Sequence, residues 1–508
     1  MPLCYSIFRL PNLWLITDEQ IGCSNMSMIL KPSLARLTVQ PADMDEMLDM
    51  LHHKIKSYLA KDGDVVESIP HSSLRKVADL KLPLEGRGLE SLGNDIDEFL
   101  RYSVNTSKPG FMNPLWGGFN ISAFVGEVIS TLVNTSRYTF ELSPFATLIE
   151  QALIKRMCEI VGFSDGNGTL TTGGSSGNML GMMCARYKVD PLGQQRGFEG
   201  TKLVCFVSEE SHYSVMMSAN VLGIGFDNVI KVKCDSDGRM RPDKLNEEIE
   251  RSRINGQIPF CVVATSGTTV KGAFDPLKEI SNICSDQDIW LHVDAAWGGS
   301  CMFSSKHRAL MDGVELADSV CWDAHKMMGV PLVCSAFLIK QPNVLRKICS
   351  HGNIAHYLFL DDAKEVDLGR ISLQCGRRND ALKLFLAWRE KGDAGWARLV
   401  DSYMELANYM ENCVLENQHL ELMAPREWTN LCIRFTSQGI DYDSVNRGIR
   451  ERIVASGKFM ISQSTVNDNI ILRPVIANPA VTKSSIKSFL DEVVGTGLDI
   501  IRNIPPKD

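Results

Sequence analysis

Four short stretches of the chain hold side chains that could do chemistry together. The first is TLTTGGSSGNMLGMMCARYK (169–188), a Gly/Ser turn that opens a helix. Backbone N–H groups at a helix start attract an anion, and glycine lets that anion come close. Gly174, Ser175 and Ser176 therefore form a candidate phosphate cradle. The second is SEESHYSV (208–215), just after an apolar run, where His212 could stack its imidazole on a flat ring. The third is HVDAAWGG (292–299), in which Asp294 closes an apolar strand. A carboxylate buried beside a pyridine nitrogen keeps that nitrogen protonated, because close opposite charge favours the charged form. Small Ala296 leaves room for the ring. The fourth is SVCWDAHKMMGV (319–330), with Lys326, preceded by His325, in a turn after another strand. A lysine taken out of water gives up its proton more readily and condenses with an aldehyde.

Each stretch has an ordinary explanation when taken singly. A Gly/Ser turn is a turn, a histidine caps or faces solvent, strand-end aspartates are common, and most lysines are solvated. Their order along the chain is what carries information: anion turn, stacking imidazole, strand-end acid, strand-end amine. The stretch between Asp294 and Lys326 is long enough for one crossover back to the same sheet. Together they describe a slot for a flat, phosphorylated pyridine aldehyde.

The elements around them must be able to build such a slot. From about 116 to 375, short apolar runs alternate with helical stretches. LVCFVS (203–208), FCVVATS (260–266), IWLHVDAA (289–296) and SVCWDA (319–324) read as strands buried on both faces. PDKLNEEIERSR (242–253) and PLKEISNICSDQ (276–287) read as the helices between them. That alternation predicts an α/β domain with a mainly parallel sheet, whose functional groups gather beyond the carboxyl ends of the strands. Upstream, PADMDEMLDMLHHKIKSYLA (41–60) has helical spacing. Downstream, LCIRF (431–435) and IILRPVI (470–476) read as strands, and SSIKSFLDEVVGTGLDIIRN (484–503) as a final helix. The expected layout is an extension over 1–30, a helical segment over 31–115, a large domain over 116–399 and a smaller α+β domain over 400–508.

The bulk numbers agree with a globular protein. The chain has 508 residues, 44% hydrophobic and 22% charged, with a net charge of −8. No long basic block stands out, which argues against nucleic acid or an anionic membrane as partner. No run is long and apolar enough to read as a membrane span, and residues 1–30 lack a clean signal-peptide pattern. The 15 cysteines show neither CxxC pairs nor zinc-type spacing, so they read as reduced thiols of a cytoplasmic protein, with no metal site.

With these residues in place, the sequence resembles the group II pyridoxal-phosphate decarboxylases of fold type I, in the glutamate and cysteine sulfinate branch. The matching stretches are NTSRYTFELSP (134–144), the Gly/Ser turn, ATSGTTVKGAFDP (264–276), HVDAAWGG, DAHKMMGVPLVCSA (323–336), LQCGRRNDALKLFLAW (373–388) and LRPVIANPA (472–480). The resemblance implies pyridoxal 5′-phosphate held on Lys326, with Asp294 at the ring nitrogen and His212 on the ring. Gly174 and Ser175 help hold the phosphate, and Thr268 lies beside the ring. It further implies that Arg473 binds the substrate α-carboxylate and that Tyr357, on a mobile loop, protonates the α-carbon. In this family that loop covers the neighbouring subunit's site, so a homodimer with active sites at the interface is implied.

Substrate identity is the finer question. The branch acts mainly on glutamate, aspartate and cysteine sulfinate. Ser136 and Tyr138 look more like the cysteine sulfinate type, and Arg137 adds a charge that meets an acidic side chain or faces solvent. The expected activity is decarboxylation of cysteine sulfinate or aspartate, to hypotaurine or β-alanine, with glutamate giving GABA as the alternative. Two departures bear on this. The family's FFNQL reads FMNPL (111–115), so Asn113 is kept while Pro114 replaces a pocket amide, and bulky Trp116 follows. The usual NPHK reads DAHK, which brings Asp323 toward the phosphate unless it turns away or stays protonated. An aminotransferase on the same fold and a non-catalytic relative are the rival readings. The LQCGRRND and SGTTVKGAFDP segments argue against the first, and the intact Lys326, Asp294, His212 and Arg473 against the second.

Overall fold

A computed structural model describes residues 41–198, 200, 202–349, 359, 366–439 and 441–503. The extension expected over 1–30 and the loop residue Tyr357 lie outside the described residues. The described residues form two compact units. The smaller holds 41–62 and 79–100, and its helix Pro41–Ala60 coincides with the segment of helical spacing.

The larger unit, residues 63–78 and 101 onward, is built on a seven-stranded sheet. Its strands are β1 (Asn167–Thr171), β2 (Leu203–Ser208), β3 (Val229–Val232), β4 (Ile258–Thr265), β5 (Trp290–Asp294), β6 (Ser319–Asp323) and β7 (Ser335–Ile339). They lie in the order β1-β7-β6-β5-β4-β2-β3. Strands β3, β2, β4, β5 and β6 run parallel to one another, and β7 runs antiparallel to both β6 and β1. This is the mainly parallel α/β sheet of fold type I that the sequence predicts.

The apolar runs become strands because both of their faces can be covered. Side chains alternate across a strand, so Val204 and Phe206 enter one core cluster while Leu203, Cys205 and Val207 enter another. Val262 and Ala264 of β4 join the first cluster, and Cys261 and Val263 the second. The flanking helices turn one stripe inward. Pro242–Ile254 buries Leu245 and Ile249, and Leu277–Asp286 buries Leu277, Ile280 and Cys284. Strands β1, β3 and β7 carry no clear mark in the sequence. β1 hides at the front of the Gly/Ser stretch, and β7 is defined by antiparallel partners on both sides.

The C-terminal part forms a second, four-stranded sheet. Strands β8 (Leu420–Leu422), β9 (Ile433–Phe435), β10 (Ser462–Val466) and β11 (Asn469–Arg473) lie in the order β10-β11-β9-β8, all antiparallel. The helices Tyr442–Ser456 and Lys483–Arg502 accompany this sheet. Asp441 caps the first through Ser444 N–H, and Thr482 and Ser485 form a capping box on the second. Among the described residues no helix is long and apolar enough to cross a membrane.

Phe206 is fully buried in the middle of β2. Phe206→Ala should destabilise the fold by about 3–5 kcal/mol, from lost transfer energy and the cavity left behind. A matching fall in the denaturation midpoint, read by circular dichroism in urea, is the expected result.

Candidate active site

The parallel strands deliver their last residues to one edge of the sheet. Ser208, Thr265, Asp294 and Asp323 end β2, β4, β5 and β6 there. Thr171 of β1 comes level with Asp323, since both register with Ser335 of β7. Beyond this edge the loops enclose a cleft of about 190 Å³. Gly174, Ser175, His212, Asp294, Ala296, His325 and Lys326 all line it. The fold thus gathers the four stretches that the sequence singles out.

The phosphate turn is shaped by close packing. The helix Gly174–Val189 starts after Gly173, whose φ of 115° suits glycine. A Cβ on Gly174 would lie 2.8 Å from Asp323 Oδ2 and 3.3 Å from Ala296 Cβ. A side chain there would press on Asp323, and Gly174 and Ser175, which begin the helix, line the cleft. Ser176 does not line the cleft; its hydroxyl pairs with Thr172 Oγ1 at 3.0 Å. Thr268 is also displaced from the expected place. It is fully buried, and its Oγ1 accepts from Ala273 N–H at 3.0 Å, which closes its own turn. Thr265, Gly267 and Thr269 of the same segment line the cleft instead. A position at the end of a parallel strand was the available signal for Thr265.

Asp294 is buried, and both of its oxygens accept. Asn178 Nδ2 donates to Oδ2 at 2.7 Å, and Ala296 N–H donates to Oδ1 at 3.1 Å. Asn178 is a cleft residue that sequence reasoning missed. Its signal was a polar amide inside an apolar helical run, which burial makes costly unless it is bonded. His212 is held by Ser214, whose N–H and hydroxyl both approach Nδ1. Burial lowers the His212 pKa, the nearby Lys326 adds to this, and Asp294 opposes it. His212 is therefore biased to the neutral, stackable form.

Lys326 Nζ lies 3.3 Å from Asp323 Oδ2, and His325 Nε2 lies 3.5 Å from the same oxygen. Ser335 donates its hydroxyl to Asp323 Oδ1. Asp323 does not turn away from the phosphate turn; it stays buried beside Gly174, with its charge met by Lys326. His325 Nδ1 rests against the Cys334 backbone, and burial lowers its pKa.

Arg473 ends β11 and is buried. Its Nε donates to Ser462 Oγ at 2.8 Å, and Nη1 donates to the carbonyl of Thr269, a cleft residue. Among the described residues no carboxylate pairs with it. Burial lowers its pKa.

Three expected substrate residues lie elsewhere. Asn113 does not line the cleft, and its neighbour Met112 bonds to Met460 and Val475. Ser136 Oγ donates to the carbonyl of Cys375 at 3.1 Å and accepts from Arg377 N–H. Tyr138 is buried with its ring 5.1 Å from that of Phe359. Arg137 neither faces solvent nor reaches the cleft. It is buried against Glu150, which also pairs with Arg377 at 2.6 Å. Trp116 lines a neighbouring cavity.

The donor set suits a phosphorylated pyridine aldehyde. It offers a glycine-shaped helix start, an amine, a doubly bonded carboxylate and a neutral imidazole around one slot. Thr265 Oγ1, buried in the cleft wall, has no hydrogen-bond partner among the described residues. Such an orphan hydroxyl is free to serve a ligand.

Comparison with known proteins points the same way. The family profile described as the pyridoxal-dependent decarboxylase conserved domain matches residues 70–436. Human cysteine sulfinic acid decarboxylase is 38% identical over 443 residues, covering 84% of this chain and 90% of the relative. Bovine acidic amino acid decarboxylase GADL1 is 38% identical over 469 residues, covering 88% and 89%. The crystal structure of mouse CSAD superposes with a TM-score of 0.87 at 35% identity, covering 90% of this chain and 99% of that one.

His292, which hydrogen-bonds the cleft residue Asn178, has its own pH signature. Burial depresses the pKa of His292, on β5, from 6.5 to about 4. The unfolded chain takes up a proton there that the folded chain refuses, so this contribution to stability is full above 6.5 and is lost as pH falls toward about 4. Urea midpoints measured across that window should fall for the native chain and fall less for His292→Leu.

Proposed function

The chain belongs to the pyridoxal-dependent decarboxylase family, and we propose that its substrate is an acidic L-amino acid, cysteine sulfinate or aspartate, released as hypotaurine or β-alanine. The observation that carries the amino-acid part of this reading is Arg473, a buried guanidinium beside the cleft with no carboxylate partner among the described residues. A buried cation without its anion is costly, and a substrate carboxylate would relieve that cost. The names of the human and bovine relatives, a cysteine sulfinic acid and an acidic amino acid decarboxylase, support the same class.

Pyridoxal phosphate, when bound, supplies an electrophilic aldehyde and a protonated ring that accepts the electrons left by departing CO₂. Lys326 is the amine that would hold the cofactor's aldehyde carbon. Asp294 keeps the ring nitrogen protonated, and neutral His212 lies on the ring face. Gly174, Ser175 and the helix start hold the phosphate, with Ser176 in the same first turn. Arg473 holds the α-carboxylate in place, which spends binding energy on orientation. Tyr357 returns a proton to the α-carbon. As the carrier, Lys326 would turn its Nζ, now 3.3 Å from Asp323 Oδ2, toward the aldehyde carbon.

A second reading rests on a different observation. A cavity of about 290 Å³ shares His325 with the cleft and is lined by Trp116, Phe119, Phe124, Val330, Pro331 and Leu332 among others. That apolar wall, together with Pro114 in place of an amide, favours an uncharged side chain over glutamate.

The protein is further proposed to act as a cytoplasmic homodimer. The described cysteines are all unpaired thiols, as a reducing compartment requires. The helix Ile121–Val133 exposes Val125, Val128, Ile129 and Leu132 along one stripe, and Phe145 and Leu148 are exposed as well. A patch of this kind is what a partner subunit covers.

A panel of amino acids tests the substrate, with CO₂ and keto acid measured side by side. CO₂ without keto acid, fastest from cysteine sulfinate or aspartate, is expected; preference for an uncharged amino acid would favour the second reading. Lys326→Ala should lose turnover and the visible absorbance of bound cofactor, and an active Lys326→Ala enzyme would refute the assignment. Leu132→Glu should convert a dimer to monomer in sedimentation velocity. A native chain that sediments as a monomer would remove the dimer.

A further inference from the structure

Asn178 is 1% exposed, and both ends of its amide are engaged. Nδ2 donates to Asp294 Oδ2 at 2.7 Å and to Ser214 Oγ at 2.9 Å. Oδ1 lies 3.0 Å from His292 Nε2. Only the amide nitrogen can face an ionised carboxylate, so Oδ1 must accept. His292 then carries its proton on Nε2, and its Nδ1 accepts from the Ser319 hydroxyl at 2.8 Å. Ser319 in turn accepts from Trp290 Nε1 at 2.9 Å. On the other side, Ser214 has accepted from Asn178 and so can donate to His212 Nδ1, 2.9 Å away. The backbone N–H of Ser214 donates to the same Nδ1 at 3.3 Å, so the neutral imidazole of His212 carries its proton on Nε2.

The donors all point one way, from Trp290 through His292 to Asn178, where the chain divides toward Asp294 and His212. Glycine makes the arrangement possible. A Cβ on Gly181 would lie 2.5 Å from the His292 ring, so the helix can rest on β5 only with glycine there. Burial keeps His292 neutral, as this tautomer requires.

We propose that Asn178 is a positioning residue that sets, with one amide, the orientation of the Asp294 carboxylate, and that His292 pins this amide against turning over. The proposal rests on the reading of Asp294 and His212 as the groups facing the cofactor. Were the amide to turn, its oxygen would face the carboxylate, and the hydrogen bonds with Asp294 and His292 would be lost. His292 prevents that turn by offering a donor where only Oδ1 can accept.

The test loads the protein with pyridoxal 5′-phosphate labelled with ¹⁵N at the ring nitrogen. The ¹⁵N chemical shift reports whether that nitrogen is protonated, and a fluorescence titration gives the affinity. The native chain should show the protonated signal, and Asp294→Ala the unprotonated reference. Asn178→Leu should move the signal toward that reference and weaken affinity about tenfold, the loss of one hydrogen bond to a charged group. His292→Leu, which touches neither the cofactor nor Asp294 by hydrogen bond, should move the signal the same way by less. Loss of packing alone would lower the unfolding midpoint and leave the signal where it was. A variant that is folded by circular dichroism, yet keeps the native signal and affinity, overturns the proposal. Should Asn178→Leu fail to fold, His292→Leu decides it. A native chain that takes up the cofactor with an unprotonated ring nitrogen would count instead against the role of Asp294.

Discussion

A carboxylate buried in a protein is tolerable only when donors meet its charge. Asp294 meets that condition at the end of β5, between the N–H groups of Asn178 and Ala296. Much of the structure around the cleft serves this one placement. The helix Gly174–Val189 must lie close enough to the sheet for Asn178 to reach over, which its glycines allow. The turn after β5 must bring Ala296 N–H back onto the same carboxyl group. The sheet must be parallel here, so that β4, β5 and β6 end side by side and not at opposite edges.

Asp323 is a second buried carboxylate at the same edge, answered in a different way. Its donors are the Ser335 hydroxyl, the Lys326 ammonium and, more distantly, His325. Two acids and one amine stand around one slot, with the amine paired to Asp323. Lys326 is the movable member, because a lysine side chain is long and its ammonium has no fixed geometry. The carboxylates sit on strand ends and are fixed. Rigidity of the acids and mobility of the amine is the division of labour that a lysine-anchored cofactor needs.

Other charges inside the large unit belong to architecture. Arg137 and Arg377 share Glu150 deep in the core, and they tie the NTSRYTFE and LQCGRRND segments together. Those two segments resemble the family strongly, and this buried pairing gives a physical reason for their sequence that owes nothing to substrate. Ser136 and Tyr138, which border Arg137, are engaged with Cys375 and Phe359. Within this chain they stand as neighbours of that core and not as part of the cleft.

The alternation of apolar runs with amphipathic stretches was enough to predict a mainly parallel sheet, since strands buried on both faces must be apolar throughout. The same pattern put Asp294 and Lys326 after strands, and in a parallel sheet successive strand ends share an edge. Gly174, Ser175, His212, Asp294, Ala296, His325 and Lys326 were legible for that reason. Sequence order could not say which hydroxyl of the SGTT segment faces the cleft. That depends on the turn, which consumes Thr268 internally and leaves Thr265 orphaned in the wall. Nor could it reveal the partners of Asn178 and His292, which come from β5, β6 and the segment after β2. Local periodicity is written in the chain because each residue's burial follows from its near neighbours. Hydrogen-bond direction between distant segments is decided only when the fold brings donors and acceptors within reach.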